Sequence, residues 1–492
     1  MTGNDWLPVL VLLSSFVTGV AILLLPEERR ATRSFLNLAG ATVKVGLVAW
    51  MIAGIQAGER YQTRLALLPG LDLYFFTDGL TLLFATLSAV LWLLTTVYAI
   101  GYLADSHDQR RFFGFFSLCV TATMGVALAG NPITFLVFYE LLTLSTWPLV
   151  IHEATPAALR GGRIYLTYTL AGGAVLFLAT ALLHATAGPV EFRPGGSLGP
   201  ELLDAERARL LFALFVVGLG VKAALVPLHG WLPEAMVAPA PVSALLHAVA
   251  VVKAGAFGIV RVVYELFGVG YAAEIGVLHP LAIAASITIV YGSIRALGQE
   301  NLKRRLAWST VSQVSYITLG TALAGAITTT GGLVHLVHQG LMKITLFFCA
   351  GALAHGLGIH EIRELDGAGR KMPWTMAAFS VGAFGMIGTP PVAGFVSKWY
   401  LGVGAVAAGQ RWAVVILVAS TLLNAAYFLP LLHRAWFRQP AAGAREHAHG
   451  DPRLVVPPVT TALLSLAVGL AAGAAWSPLS WAEFVALGEF VR

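Results

Sequence analysis

The chain has 492 residues, of which 57% are hydrophobic and only 11% charged, with a mean hydropathy of +0.78. A soluble globule carries about 25% charged residues, so this composition excludes a soluble enzyme and defines an all-α polytopic membrane protein. The net charge of +6 is too dilute for nucleic-acid binding. Cys119 and Cys349 sit in apolar runs and imply neither a disulfide framework nor a metal site. Without a glycine-rich phosphate loop, an HExxH motif or paired CxxC motifs, no cofactor is expected.

At about 20 apolar residues per span, the length allows about 14 helices. The first, Trp6–Leu25, has no basic residue before it and no small-residue cleavage site after it, so it reads as a retained helix rather than a signal peptide. Arg29, Arg30 and Arg33 follow, then a span near Ser34–Ile55 holding Lys44, which faces either another helix or a headgroup. A polar loop with Asp72 and Asp78 leads to spans at about 79–103, 112–130 and 131–151, the last two joined by the tight turn Gly130-Asn131-Pro132. Span six covers about 161–186, and a Gly- and Pro-rich loop runs to residue 205. Spans seven and eight end at Gly268. Nine to eleven fall near 274–298, 305–325 and 330–356. Twelve, about 373–402, is interrupted at Gly388-Thr389-Pro390-Pro391, and thirteen and fourteen cover about 411–436 and 455–475.

Loop charge sets the expected orientation. Odd-numbered loops hold about 18 Lys and Arg, including Arg110, Arg111, Arg160, Arg163, Lys303, Arg304, Arg305, Arg370 and Lys371, against about six in the even-numbered loops. The positive-inside rule then places odd loops in the cytoplasm and both termini outside the plasma membrane.

Two successive spans each carry a lysine, Lys222 and Lys253. A Lys at the bilayer centre costs about 2.5–3.5 kcal/mol on insertion scales. Pro227, five residues after Lys222, lacks an N–H and is expected to free the carbonyl of Ala223. Irregular backbone at membrane depth is tolerated only where protein or a hydrated cavity satisfies it. Lys222 could instead snorkel from its helix end, whereas Lys253 lies about 14 residues into its expected helix. The Pro-broken spans seven and twelve are separated by five helices, an odd offset that inverts one relative to the other. Spans 4–8 and 9–13 therefore read as two inverted five-helix repeats, with the ion path at the broken spans. The corresponding segments are 1–111 (three N-terminal helices), 112–268 and 269–438 (the repeats), and 439–492 (a cytoplasmic loop, span fourteen and the C-terminus).

The stretch VKAALVPLHGWLPEAMVAPAPVSALLHAVAVVKAG resembles the antiporter-like subunits shared by Mrp-type Na⁺/H⁺ antiporters, respiratory complex I and membrane-bound hydrogenases. Its pattern, K-x4-P-L-H-x-W-L-P-[DE]-A followed by P-x-P-V-S-A, is long and specific, and the resemblance extends over about residues 70–440. It implies the same inverted-repeat fold and membership of a multisubunit membrane complex.

The resemblance also implies roles for intramembrane polar groups. Glu140, nine residues from the Asn131 turn, has no basic residue near it in sequence, and Lys222 is its natural partner, as in the family pattern. His335 and His338 share a helix face, with Lys343 one turn on. Histidine titrates near neutrality and suits proton transfer. The family pattern H-x-x-N-H-x-x-x-K is altered here, because Gln339 replaces its second histidine and His338 takes the position before it. His247 reads equally as a relay member or a packing hydrogen-bonder. GTPPVAGFVSK matches the family's G-x-P-x-x-G-F-x-x-[KE] segment and assigns Lys398 the terminal exchange role, against the alternative of snorkelling past Trp399 and Tyr400. Glu234 could admit protons or cap the next helix, the basic residues of 301–317 are explained by topology, and Glu446-His447-Ala448-His449 reads as an ordinary polar loop.

The expectation is a subunit that moves protons, with Na⁺ as a candidate counter-ion, along Glu140, Lys222, Lys253, His247, His335, His338, Lys343 and Lys398. The ending soon after span fourteen and the wording LMKITLFFCAGA resemble the Mrp D-type subunit first. The alternative is a pumping subunit of a redox-driven complex whose redox centres lie on other chains. Expected partners are the other membrane subunits and the lipid bilayer.

Overall fold

The computed structural model describes residues 6–440 and 451–490. The expected loop Glu446-His447-Ala448-His449 lies outside the described residues. Twenty helices follow one another: α1 (Leu7–Leu24), α2 (Arg30–Gln56), α3 (Gly79–Tyr102), α4 (Gln109–Leu128), α5 (Pro132–Val150), α6 (Pro156–Ala187), α7 (Ala205–Lys222), α8 (Trp231–Glu234), α9 (Ala240–Ala248) and α10 (Val251–Arg261) in the first part. The second part holds α11 (Val269–Glu274), α12 (Leu278–Leu297), α13 (Leu302–Ala322), α14 (Ala326–Leu357), α15 (Ala368–Lys371), α16 (Pro373–Ile387), α17 (Ala393–Ala407), α18 (Arg411–Phe437), α19 (Pro452–Leu470) and α20 (Pro478–Phe490). Among the described residues, eleven helices, with α9, α10 and the turn after them counted as one, are long and apolar enough to cross a membrane. The other three expected crossings are α7, which carries Glu206, Arg207, Arg209 and Lys222; α13, lined with buried Ser, Thr and Gln; and the two short halves α16 and α17.

Local chemistry fixes where helices start. Asp78, Asn131, Thr155, Asp204 and Asn301 each accept a backbone N–H from the first turn of the helix they precede, which satisfies one of the donors a helix leaves free. Three of the expected features come out differently. The polar loop before α3 is an antiparallel hairpin, β1 (Gln62–Leu68) and β2 (Leu71–Phe76), which buries Tyr74 and Phe75. Helix α7 stops at Lys222, before Pro227 can act. Ala224 takes a left-handed backbone (φ 56°), its N–H bonds to Val221 O, and the Leu225 N–H bonds to Gly220 O. That is a Schellman ending, with Trp231 Nε1 adding a bond to Val221 O at 2.7 Å.

The eighth span is also interrupted. Val249 and Ala250 leave helical geometry, and both of their N–H groups turn back to Leu245 O. Lys253 therefore stands in the first turn of α10 instead of deep inside one long helix. The long helix α14 runs unbroken beside this interruption, and a Cβ at Gly340 would come within 3.0 Å of Ala248 O. Lys44 is fully buried, bonded to Ser15 Oγ at 2.5 Å and placed over the Trp92 ring; it faces helices, not a headgroup.

Candidate functional site: a buried line of lysines and histidines

Glu140 lies near the middle of α5, half-buried, with Oε1 enclosed and without a protein partner. Its carboxylate packs on the bare backbone of Gly173 in α6, where an added Cβ would stand 2.1 Å from Oε1. Lys222, at the end of α7, is fully buried. Its Nζ donates to the backbone O of Tyr139 and sits 3.4 Å from that ring's centroid. The Tyr139 hydroxyl in turn donates to Gly218 O at 3.2 Å. Glu140 and Lys222 thus form no direct ion pair; Lys222 reaches the backbone carbonyl of the residue before Glu140.

Lys253 is fully buried and its Nζ has no partner among the described residues. His335, on α14, is also fully buried. His335 Nδ1 shares a hydrogen bond with Ser397 Oγ at 2.8 Å, and its ring stacks on Tyr316 with centroids 5.1 Å apart. Lys398 follows Ser397 on α17 and places Nζ 5.5 Å from the same Tyr316 ring. That ammonium donates to Met386 O at 2.8 Å and Ile387 O at 2.9 Å. These are the last carbonyls of α16, where the helix dipole is negative. Lys398 therefore points into the break between α16 and α17 and does not snorkel. Gly388, in the left-handed region (φ 95°), leaves room for it: a Cβ there would stand 2.7 Å from Lys398 Cδ.

Not every expected member converges. Lys343 turns to α13, donating to Leu306 O at 3.1 Å and to Ser309 Oγ. His247 stacks on Phe347 with both ring nitrogens unpartnered among the described residues, and His338 is enclosed beside the Ala393 backbone. Glu234 pairs with Arg304 at 2.8 Å, away from the line. Thr318 and Gln339 add further buried polar atoms without partners among the described residues. Buried polar groups are rarely left unsatisfied, and a polar cavity with several such groups is where ordered water resides. Tyr139 and Tyr316 carry no signal in the sequence; Ser397, adjacent to Lys398, does, since a hydroxyl beside an intramembrane lysine has few other partners.

Comparison with known proteins places this geometry in a class of membrane subunits. Residues 129–424 match the family described as NADH:quinone oxidoreductase/Mrp antiporter, transmembrane. The NADH-quinone oxidoreductase subunit N of Desulforudis audaxviator is 34% identical over 451 residues, covering 89% of this chain and 88% of that one. The A/B subunit of a probable K⁺/H⁺ antiporter of Rhizobium meliloti is 29% identical over 468 residues, covering 93% of this chain and 46% of that protein. A chain in the structure of the Mrp complex from Dietzia sp. DQ12-45-1b superposes with a TM-score of 0.86 at 22% identity, covering 100% of this chain and 98% of that one. The chain belongs to the NADH:quinone oxidoreductase/Mrp antiporter transmembrane family. It is an antiporter-like, multi-pass membrane subunit.

Proposed function

We propose that this chain is a proton-translocating subunit of a multisubunit complex, working through Glu140–Lys222, Lys253, His335 and Lys398 in series, with His338, Lys343 and His247 as flanking groups. The observation that carries the reading is His335, bonded to Ser397, the residue before Lys398, and stacked on the Tyr316 ring that Lys398 also faces. Like charges in a poorly solvated site disfavour one another, so a proton arriving at one member lowers proton affinity at the next. Movement of Glu140 away from Lys222 starts the displacement, and Lys398 ends it. The two interrupted spans α7–α8 and α16–α17 occupy corresponding positions of inverted repeats at 112–268 and 269–438, and loop charge puts both termini on the outer side of the plasma membrane.

The partners follow from the relatives, which are subunits of an NADH-quinone oxidoreductase and of a K⁺/H⁺ antiporter. The Mrp D-type reading is supported by the LMKITLFFCAGA segment and by the likeness of fold to a chain of the Mrp complex. A second reading, a pump in a redox-driven complex, is favoured by the 34% identity to a subunit N. Purification in mild detergent tests both: co-purifying antiporter subunits support the first, and co-purifying redox subunits the second. Recovery of fully active monomers alone would refute the assembly.

A further inference from the structure

Eight residues beyond Lys253, Arg261 is fully buried and bonds two carboxylates at once. Nη1 donates to Asp78 Oδ2 at 2.7 Å and to Glu265 Oε2. Nη2 donates to Thr81 Oγ1 at 2.7 Å, to Asp78 Oδ1 at 3.3 Å and to Ala127 O at 3.4 Å. Glu265 is 1% exposed, whereas the Asp78 side chain is 18% exposed and marks the way out. A third acid, Glu489 of α20, accepts the Gly195 N–H and acts on Glu265. One guanidinium is thus shared by two carboxyls, Asp78 and Glu265, which leaves an excess of negative charge in a desolvated place, and such an excess is removed by taking up a proton.

The three acids are not equivalent. Asp78 takes the Thr81 N–H at 2.6 Å, two guanidinium bonds and the positive end of α3, all of which favour its ionised form. The Glu265 carboxylate accepts from Arg261 alone among the described residues. Glu265 also lies in a π-turned segment, Val262–Phe267, that continues α10; such turns are rare and concentrate at functional sites. Helices α3 and α10 run antiparallel, with Thr81 against Arg261 and Phe84 against Phe257 at 4.8 Å.

We propose that Glu265 is a proton-carrying residue on the outer side of this chain, exchanging its proton with the outer solution by way of Asp78 and separated from Lys253 by the Phe84–Phe257 ring pair. On release the Glu265 O–H bond breaks, the proton passes to water at Asp78, and the carboxylate is left on Arg261. This deepens the proton-translocation reading and rests on it. The test is proton flux by the whole complex in vesicles for Glu265→Gln, Glu265→Asp and Glu140→Gln, together with infrared titration of carboxylic C=O bands. Glu265→Gln should assemble, lose at least about tenfold in flux and lack one protonated-carboxyl band; Glu265→Asp should retain partial flux with a displaced pH profile. Unchanged flux in Glu265→Gln beside inactive Glu140→Gln overturns the outer station alone, while full flux in both removes the translocation reading with it. Lost flux with every carboxyl band intact shows an always-ionised, structural Glu265 and also overturns the proposal. If Glu265→Gln does not assemble, Glu265→Asp decides: a displaced pH profile supports the station and an unchanged one rejects it.

Discussion

His335 and Ser397 share a hydrogen bond at 2.8 Å that ties the unbroken helix α14 to the half-helix α17, which carries Lys398 in its next position. The bond fixes the imidazole against Tyr316, the ring that the Lys398 ammonium also faces. A movement of α17 would therefore be felt at His335, and a proton on His335 would be felt at Lys398.

Ser397→Ala removes that bond while leaving the imidazole in place. Proton flux is expected to fall severalfold with normal assembly, whereas His335→Phe, which keeps the stacking on Tyr316 but carries no proton, should lower it by about 100-fold, the low end of what losing a proton-transfer group costs. Flux assays on reconstituted complex read both. Equal activity of His335→Phe and the parent chain would exclude the imidazole from the path.

For Lys398 the decisive comparison keeps the charge. Arginine does not release its proton at accessible pH, so Lys398→Arg should block transport although its guanidinium can still reach Met386 O and Ile387 O. Lys398→Glu should keep partial activity, since a protonated carboxyl can donate to the same carbonyls and then ionise. Proton flux in vesicles for these two and Lys398→Ala separates the readings. A fully active Lys398→Arg would remove the residue from the path.

Gly173 gives the Glu140 carboxylate its place. Gly173→Ala adds a Cβ that would stand 2.1 Å from Oε1, so the carboxylate must swing away. Alanine is the better helix former by about 1 kcal/mol, so α6 should be no less stable. Expected is a clear loss of flux with undiminished protein in the membrane; undiminished flux would show that the carboxylate position is not critical.

A pH effect is expected at the end of α5, outside the spans. His152 is fully buried, and burial, then the Arg111 and His107 charges, push it down to about 4 against the opposing Asp108 charge and His107 backbone. The unfolded segment, with an ordinary histidine near 6.5, binds the proton first, so stability is full above about 6.5 and is lost as pH falls towards 4. The loss amounts to about 3 kcal/mol at one pKa unit per 1.36 kcal/mol. Thermal melts of His152→Phe complex should show a flatter acid limb than the parent; superimposable limbs would exclude this histidine as a cause.

Much of this was legible in the sequence because membrane physics leaves few alternatives. An apolar run of span length must be a helix, and an intramembrane charge marks a functional interior by default. That reasoning, together with the family resemblance, singled out Glu140, Lys222, Lys253 and Lys398 as candidates. What it missed depends on packing between distant segments. The break before Lys253 contains no proline or glycine, only Val249 and Ala250, so no local signal announces it. The detour of Lys222 to the Tyr139 carbonyl, and of Lys343 to Leu306 and Ser309, depends on which neighbour's backbone comes within reach. The stop of α7 at Lys222 arises from a left-handed alanine, a conformation that sequence rarely betrays.

The central claim is that protons cross through the buried line that begins at Glu140. The most direct test is proton flux in vesicles holding the complete complex with Glu140→Gln, which keeps the side-chain shape and removes the exchangeable charge facing Lys222. The account predicts a fully assembled complex whose flux is lost. Flux equal to that of the unaltered complex would contradict it.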